Sequence, residues 1–178
     1  MNGSLSRYAV LLRGVNVGGI TVKMADLRAT LERAGLQDVR TLLASGNAVV
    51  SSSQDGAEVK ETVEQALRAD FGYNAWVIVL RVERVAELAA AVPYPVGDPE
   101  VHAYVTFCTD PEVLDELLAL GAGAGQEQVR LGPEAVAWTA VKGATLDSEF
   151  SRATAKPRYK ATTTTRNLRT LHKITAAG

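Results

Sequence analysis

The strongest constraint on the fold is the order in which apolar segments alternate with turns along the first half of the chain. A short apolar run, Arg7 to Leu12, is typical of a buried strand, and apolar residues then recur at helical spacing from Met24 to Ala34. Two more apolar runs, "VRTLLA" and "NAVVSS", flank a turn signal at Ser45 to Asn47. An amphipathic helix with Asp55 at its N-cap and the strand "AWVIVLRV" complete the order β-α-β-β-α-β.

The same order begins again after a proline-rich break. The segment "VPYPVGDPE" holds three prolines and a glycine, which favours a boundary between structural units. Beyond it the sequence predicts the strand "VHAYVTFC" and a helix with Asp110 at its N-cap and Gly121 at its end. A hairpin around Gly132 and Pro133 follows. No clear fourth strand is predicted in this half, and a C-terminal helix takes its place.

These two halves predict an α+β protein of two tandem ferredoxin-like (β-α-β-β-α-β) subdomains with antiparallel sheets, plus a C-terminal helix. In such a unit two helices pack on one face of the sheet. The predicted subdomains are residues 1–91, which include a connecting helix, and residues 92–178 with the basic C-terminal helix. A chain of 178 residues that is 47% apolar can bury a core in each of two small domains.

Charge is distributed unevenly along the chain. Residues 150–178 hold seven basic residues and no acidic one, whereas the first 149 residues hold 12 basic against 20 acidic residues, a net charge of −8. A cationic segment of this kind attracts phosphates, nucleic acid or acidic partners, and balancing the acidic body explains the same charges equally well. The predicted basic patch consists of Lys156, Arg158, Lys160, Arg169 and Lys173.

The segment "LLRGVNVGG" follows the first strand, as phosphate-binding loops often do. Its glycines match neither G-x-x-x-x-G-K-[ST] nor G-x-G-x-x-G, so pattern alone favours a structural turn. The segment "TTTTRNLRTLHKITA" predicts a helix with a threonine N-cap and with Arg166, Arg169 and Lys173 on one face. Hydroxyls and backbone amides at a helix N-terminus suit an anion, although a solvated face would show the same pattern.

The sequence lacks the residues that metal binding and disulfide formation require. The single cysteine, Cys108, lies in an apolar strand and is expected to be a buried thiol, and the two histidines lie far apart in sequence. We therefore predict no metal site, no disulfide and no cofactor. The polar opening "MNGSLSR" and the lack of a long apolar run predict a cytoplasmic protein that does not enter the membrane. No catalytic residue is identified, and whether the protein is an enzyme stays open.

The segments "YAVLLRGVNVGG", "VKMADLRATLERAGLQDVRTLLASGNAVVSS" and "TTTTRNLRTLHKI" together resemble the bacterial domain of unknown function 1697 family. This resemblance implies a duplicated α+β fold and implies no activity. Leu168 departs from the family pattern, which commonly has tryptophan there. The matching positions are Arg13, Gly14, Asn16, Gly18, Gly19, Met24, Leu27, Ser45, Gly46, Asn47, Thr165, Arg166 and Asn167.

The first and last motifs predict a ligand site. We expect a phosphorylated or otherwise anionic small molecule to bind at the junction of the subdomains, where Arg166 would join Arg13. The Ser45–Asn47 turn is not part of this predicted site, because we expect it at the opposite end of the sheet from the end of the first strand. The predicted ligand-binding residues are Arg13, Asn16, Gly18, Gly19, Lys23, Thr165, Arg166 and Asn167.

Two alternatives remain open at this point. The protein is a structural or interaction module without catalysis if Asn16, Asn47 and Asn167 are buried and paired with backbone. It binds nucleic acid through the basic C-terminal segment if its affinity for nucleic acid falls steeply with salt. The sequence favours a small anionic ligand and a structural module about equally, and it favours nucleic acid less than either.

Overall fold

The computed structural model describes residues 3–13, 21–43, 45–72, 74–144 and 148–178. The strands in these ranges are β1 (Ser6–Arg13), β2 (Gln37–Leu42), β3 (Asn47–Ser52), β4 (Trp76–Arg81), β5 (Val101–Cys108), β6 (Gln128–Gly132), β7 (Ala135–Val141) and β8 (Thr163–Asn167). The helices are α1 (Met24–Arg33), α2 (Gly56–Phe71), α3 (Val82–Ala91), α4 (Pro111–Gly123), α5 (Glu149–Thr154), α6 (Pro157–Lys160) and α7 (Leu168–Ala177). They form two four-stranded antiparallel sheets with helices, an α+β fold that agrees with two tandem ferredoxin-like subdomains and a C-terminal helix.

The chain divides into two compact units. Unit 1 comprises Met1–Val85 and Lys173–Gly178, and unit 2 comprises Ala86–His172. The last residues belong to unit 1 because Arg7 of β1 holds them there. Its guanidinium donates to the carbonyl of Ala177 at 3.2 Å and to the carbonyl of Asp38 at 2.7 Å.

Unit 1 contains the sheet β2-β3-β1-β4, with α1 and α2 packed on one face. Alternate residues of β1, such as Val10 and Leu12, pack against apolar residues of these helices, such as Leu27 and Leu67, to form a core with exposures near zero. The predicted N-cap at Asp55 is confirmed and forms a capping box, because the Asp55 carboxylate accepts from the Glu58 amide while the Glu58 carboxylate accepts from the Asp55 amide. The core therefore orients β1 within the sheet of unit 1.

Unit 2 contains the sheet β6-β7-β5-β8, which has a fourth strand that the sequence did not predict. Thr163–Asn167 does not start the terminal helix; it is strand β8, which pairs antiparallel with β5 from Cys108↔Thr163 to Tyr104↔Asn167. The threonine run resembles a helix N-cap, yet β-branched residues fit a pleated sheet better than a helix. The terminal helix α7 begins only at Leu168, where the Asn167 side chain accepts from the Arg169 amide at 2.9 Å.

Gly121 was predicted to end α4, but it lies buried inside the helix, which continues to Gly123. A Cβ at Gly121 would clash with Oε1 of Gln128 and would stand 2.9 Å from the ring of Phe150. The Gln128 side chain cannot retreat at no cost, because its amide nitrogen donates to the Leu118 carbonyl at 2.7 Å. Glycine is therefore required here by close packing.

The substitution Gly121→Ala is expected to lower the free energy of unfolding by about 1 kcal/mol, since the added methyl group overpacks this contact. Gly123→Ala is the matched control in the same helix, where a Cβ would meet nothing within 4 Å. It is expected to stabilise by about 0.5 kcal/mol, because alanine restricts the unfolded chain and favours helix. Urea denaturation measures both variants, and effects of equal sign would contradict the packing argument.

Candidate functional site

Arg13 of the first motif is the last residue of β1 and lies directly opposite Trp76, the first residue of β4. Directly opposed residues in an antiparallel pair share one sheet face. The preceding pair, Leu12 and Val77, belongs to the core under α1 and α2, so Arg13 and Trp76 face the other side of the sheet. Both side chains are half-buried, and burial lowers the pKa of the Arg13 guanidinium below its ordinary value.

The turn between β2 and β3 lies at the same sheet end as Arg13, which corrects our expectation that it lies at the opposite end. The amide of Leu12 donates to the carbonyl of Gly46 at 2.9 Å, and Leu11 pairs with Asn47. The reason is strand direction. Because β1 and β2 are both antiparallel to β3, they run parallel to each other, and the turn after β2 returns to the end at which β1 finishes.

Asn47 holds this turn from inside the protein. Its side chain has no exposed surface, and its amide nitrogen donates to the carbonyl of Leu42 at 3.0 Å and to the hydroxyl of Ser45 at 2.9 Å. Leu43 and Gly46 both have positive φ, at 59° and 83°, so the backbone turns sharply on either side of Ser45. The exposed Ser45 side chain is thereby positioned at the sheet end.

The start of α1 reaches the same sheet end. The hydroxyl of Thr41 in β2 donates to the carbonyl of Met24, the first residue of α1, at 3.2 Å. Lys23 precedes Met24, has an exposed side chain and does not cap the helix with it. We term the set Arg13, Lys23, Ser45 and Trp76 the sheet-1 rim, since all four lie where β1 ends in unit 1.

The second motif lies in unit 2, on β8. Arg166 is buried, and its Nη1 donates to the hydroxyl of Thr164 at 2.6 Å and to the carbonyl of Thr165 at 3.0 Å. We predicted that Arg166 belongs to a basic stripe of the terminal helix. This prediction is wrong, because Arg166 lies on strand β8. Thr165 shares a hydrogen bond with the Thr106 hydroxyl at 2.8 Å, and Asn167 caps α7. Each of these three motif residues thus has a partner inside unit 2.

The remaining predicted residues belong to the glycine-rich segment of the first motif and to the basic patch. Asn16, Gly18 and Gly19 lie outside the described residues. Of the basic patch, Arg158 forms an ion pair with Glu116 and lies over the Tyr159 ring, 5.7 Å from its centroid, so a neighbouring carboxylate offsets its charge. The other patch residues have exposed side chains; they are Lys156, Lys160, Arg169 and Lys173.

The described part of the chain contains no group of three or more metal-ligating side chains, and none of its helices is long and apolar enough to cross a membrane. Cys108 is buried at the end of β5, as expected from its strand. Burial, the largest influence on this thiol, raises its pKa, which disfavours the nucleophilic thiolate.

Sequence reasoning identified Arg13 and Lys23 but missed Ser45 and Trp76 as their neighbours. Ser45 was excluded from the predicted site because the turn between β2 and β3 was expected at the opposite sheet end from Arg13. Trp76 stands opposite Arg13 only through the pairing register of β1 with β4. An aromatic residue at the first position of a strand was the available signal for Trp76, and it specifies no partner by itself.

Comparisons with known proteins agree with this architecture. The model of a family described as "Protein of unknown function (DUF1697)" matches residues 5–136. A solved structure of a conserved bacterial protein from Streptococcus pneumoniae is 25% identical, covers 98% of this chain and 99% of its own, and superposes with a TM-score of 0.76. An unknown protein from Galdieria sulphuraria is 15% identical over 92% of this chain and 98% of its own, and its TM-score of 0.29 supports no conclusion. No curated protein matches the chain.

Proposed function

The chain belongs to the DUF1697 family, whose function is unknown, and we propose from its own residues that the sheet-1 rim binds a phosphorylated or otherwise anionic small molecule. The observation that carries the proposal is the half-burial of Arg13 at a strand end that lies beside the Ser45 turn. The start of α1, with the exposed Lys23, reaches the same end of the sheet from the face that the helices cover.

Partial burial makes Arg13 a stronger anion ligand than a surface cation. Water has been partly removed from its guanidinium, which is why its pKa is lowered, and charges interact more strongly where water is partly excluded. Arginine also presents a planar fork of donors that matches phosphate oxygens. Even with a lowered pKa, arginine stays protonated near neutral pH.

The start of α1 is not the main source of affinity in this proposal. Asp26 already places a negative charge in the first turn, where the helix N-terminus would otherwise favour an anion. Lys23 provides a flexible ammonium group, and Ser45 provides a hydroxyl held in place by Asn47. The anion would therefore be held by side-chain donors, with Arg13 as the principal one.

Arg13→Gln is expected to weaken binding of inorganic pyrophosphate and ribose 5-phosphate about tenfold, the loss typical of one charge-assisted hydrogen bond. Titration calorimetry gives the affinity, and thermal unfolding shows whether each ligand stabilises the protein by mass action. Arg28→Gln is the matched control, because Arg28 lies exposed on α1 and is paired with Glu32. Equal affinities for wild type and Arg13→Gln would contradict the proposal.

A second candidate function is a structural or interaction module without a ligand, and the hydrogen bonds of the buried Asn47 side chain favour it. Asn47 donates to a backbone carbonyl and Asn167 accepts from a backbone amide, so both motif asparagines stabilise local structure. A complete absence of thermal stabilisation by millimolar phosphate compounds would select this candidate over the first.

A further inference from the structure

We infer that the ligand of the sheet-1 rim is a nucleotide, held by its phosphate at Arg13 and by its base at Trp76. This inference rests on the proposed function, because it adds a second contact to the same anion site. It starts from the pairing register: the two residues stand directly opposite each other on β1 and β4 and share a sheet face.

The spacing of this pair suits a ligand that has a ring and a phosphate close together. Directly opposed residues on one sheet face have Cβ atoms roughly 5 Å apart, so their side chains can contact one ligand side by side. An indole offers a broad π-face on which any nucleobase can stack, while the guanidinium binds phosphate oxygens. A nucleotide joins its two groups through a single sugar, which matches this short separation.

Trp76 differs from the other described aromatic residues of unit 1. Tyr8 lies in the core and its hydroxyl donates to the Gln54 carbonyl, and Phe71 packs against the same core. The indole of Trp76 is half-buried at the sheet end and lies on the face away from that core. A large aromatic surface with this exposure beside a half-buried cation is typical of a ligand contact.

The test compares adenosine 5′-monophosphate, ribose 5-phosphate and adenosine by titration calorimetry on wild type and Trp76→Leu. Wild type is expected to bind the nucleotide about five- to a hundredfold more tightly than the sugar phosphate, the range that aromatic stacking supplies. Trp76→Leu is expected to lose this preference while keeping its affinity for ribose 5-phosphate. Trp76→Phe keeps an aromatic face and is expected to retain most of the preference.

Leu80→Ala is the matched control, since Leu80 lies on the same strand and the same face, four residues from Trp76. It should leave the preference for the nucleotide unchanged. Indole fluorescence supplies a second readout, because the other tryptophan, Trp138, is fully buried in unit 2. The nucleotide is expected to quench wild type and to leave the fluorescence of Trp76→Leu unchanged.

The outcomes separate the inference from the proposed function. Equal affinities for the nucleotide and the sugar phosphate in wild type would overturn the inference, and the anion site would stand if Arg13→Gln still weakened both. An unchanged preference in Trp76→Leu would also overturn the inference. Adenosine binding as tightly as the nucleotide, or no phosphate compound binding at millimolar concentration, would overturn both.

Discussion

Thr106→Val is expected to lower the free energy of unfolding by about 2–3 kcal/mol, because it removes the acceptor of a buried indole N–H. Thr106 and Trp138 both have no exposed surface, and Nε1 of Trp138 donates to the Thr106 hydroxyl at 2.9 Å. Valine is close to threonine in size, so the packing is preserved and the loss is mainly that of the hydrogen bonds.

The indole cannot move away to find another acceptor, because neighbouring rings stack against it. The Tyr104 ring lies 4.8 Å from Trp138 and the Phe150 ring lies 5.4 Å from it, measured between centroids. Without Thr106 the N–H would remain buried and unsatisfied, which costs more than a hydrogen bond contributes when both partners are present.

Thr165→Val is the matched control, since Thr165 belongs to the same chain of hydroxyl groups at its far end. Its hydroxyl bonds to that of Thr106 at 2.8 Å, and its loss leaves the bond from Trp138 to Thr106 intact. We expect a loss of about 1 kcal/mol or less. Urea denaturation compares the two variants, and equal losses would show that the indole bond contributes nothing beyond an ordinary hydroxyl pair.

The first half of the fold could be predicted because its local signals agree with one another. Apolar periodicity and the N-cap at Asp55 both indicate the observed elements. In the second half, the segment from Thr163 to Asn167 gave two signals at once. Threonine favours both an N-cap and a strand, and the deciding factor is its pairing with β5, a contact between distant residues.

The candidate site could be predicted only in part, since sequence spacing does not report strand direction or register. Arg13 stood out through its motif, whereas the position of Ser45 depends on β1 and β2 running the same way. The position of Trp76 depends on which residue of β1 it faces. Arg166, like Arg13, belongs to one of the family motifs. It lies on β8, which pairs with β5, and its side chain is buried and bonded to neighbouring residues.

Asn47→Ala is expected to lower the free energy of unfolding by about 2–4 kcal/mol, since it removes two hydrogen bonds of a fully buried side chain and leaves a cavity. The Leu42 carbonyl and the Ser45 hydroxyl would lose the donor that joins them across the turn. The positive φ of Leu43 is unfavourable for a leucine, and the bonds from Asn47 help to offset that strain.

Asn74→Ala is the matched control, because Asn74 is an exposed asparagine of the same unit that accepts from Arg68 at 3.1 Å. Its effect is expected to stay within about 0.5 kcal/mol, as for most surface substitutions. Urea denaturation gives both values. Equal effects would mean that the Ser45–Asn47 turn does not depend on its internal bonds, and the motif would then be better explained by a contact with a ligand than by the structure of the turn.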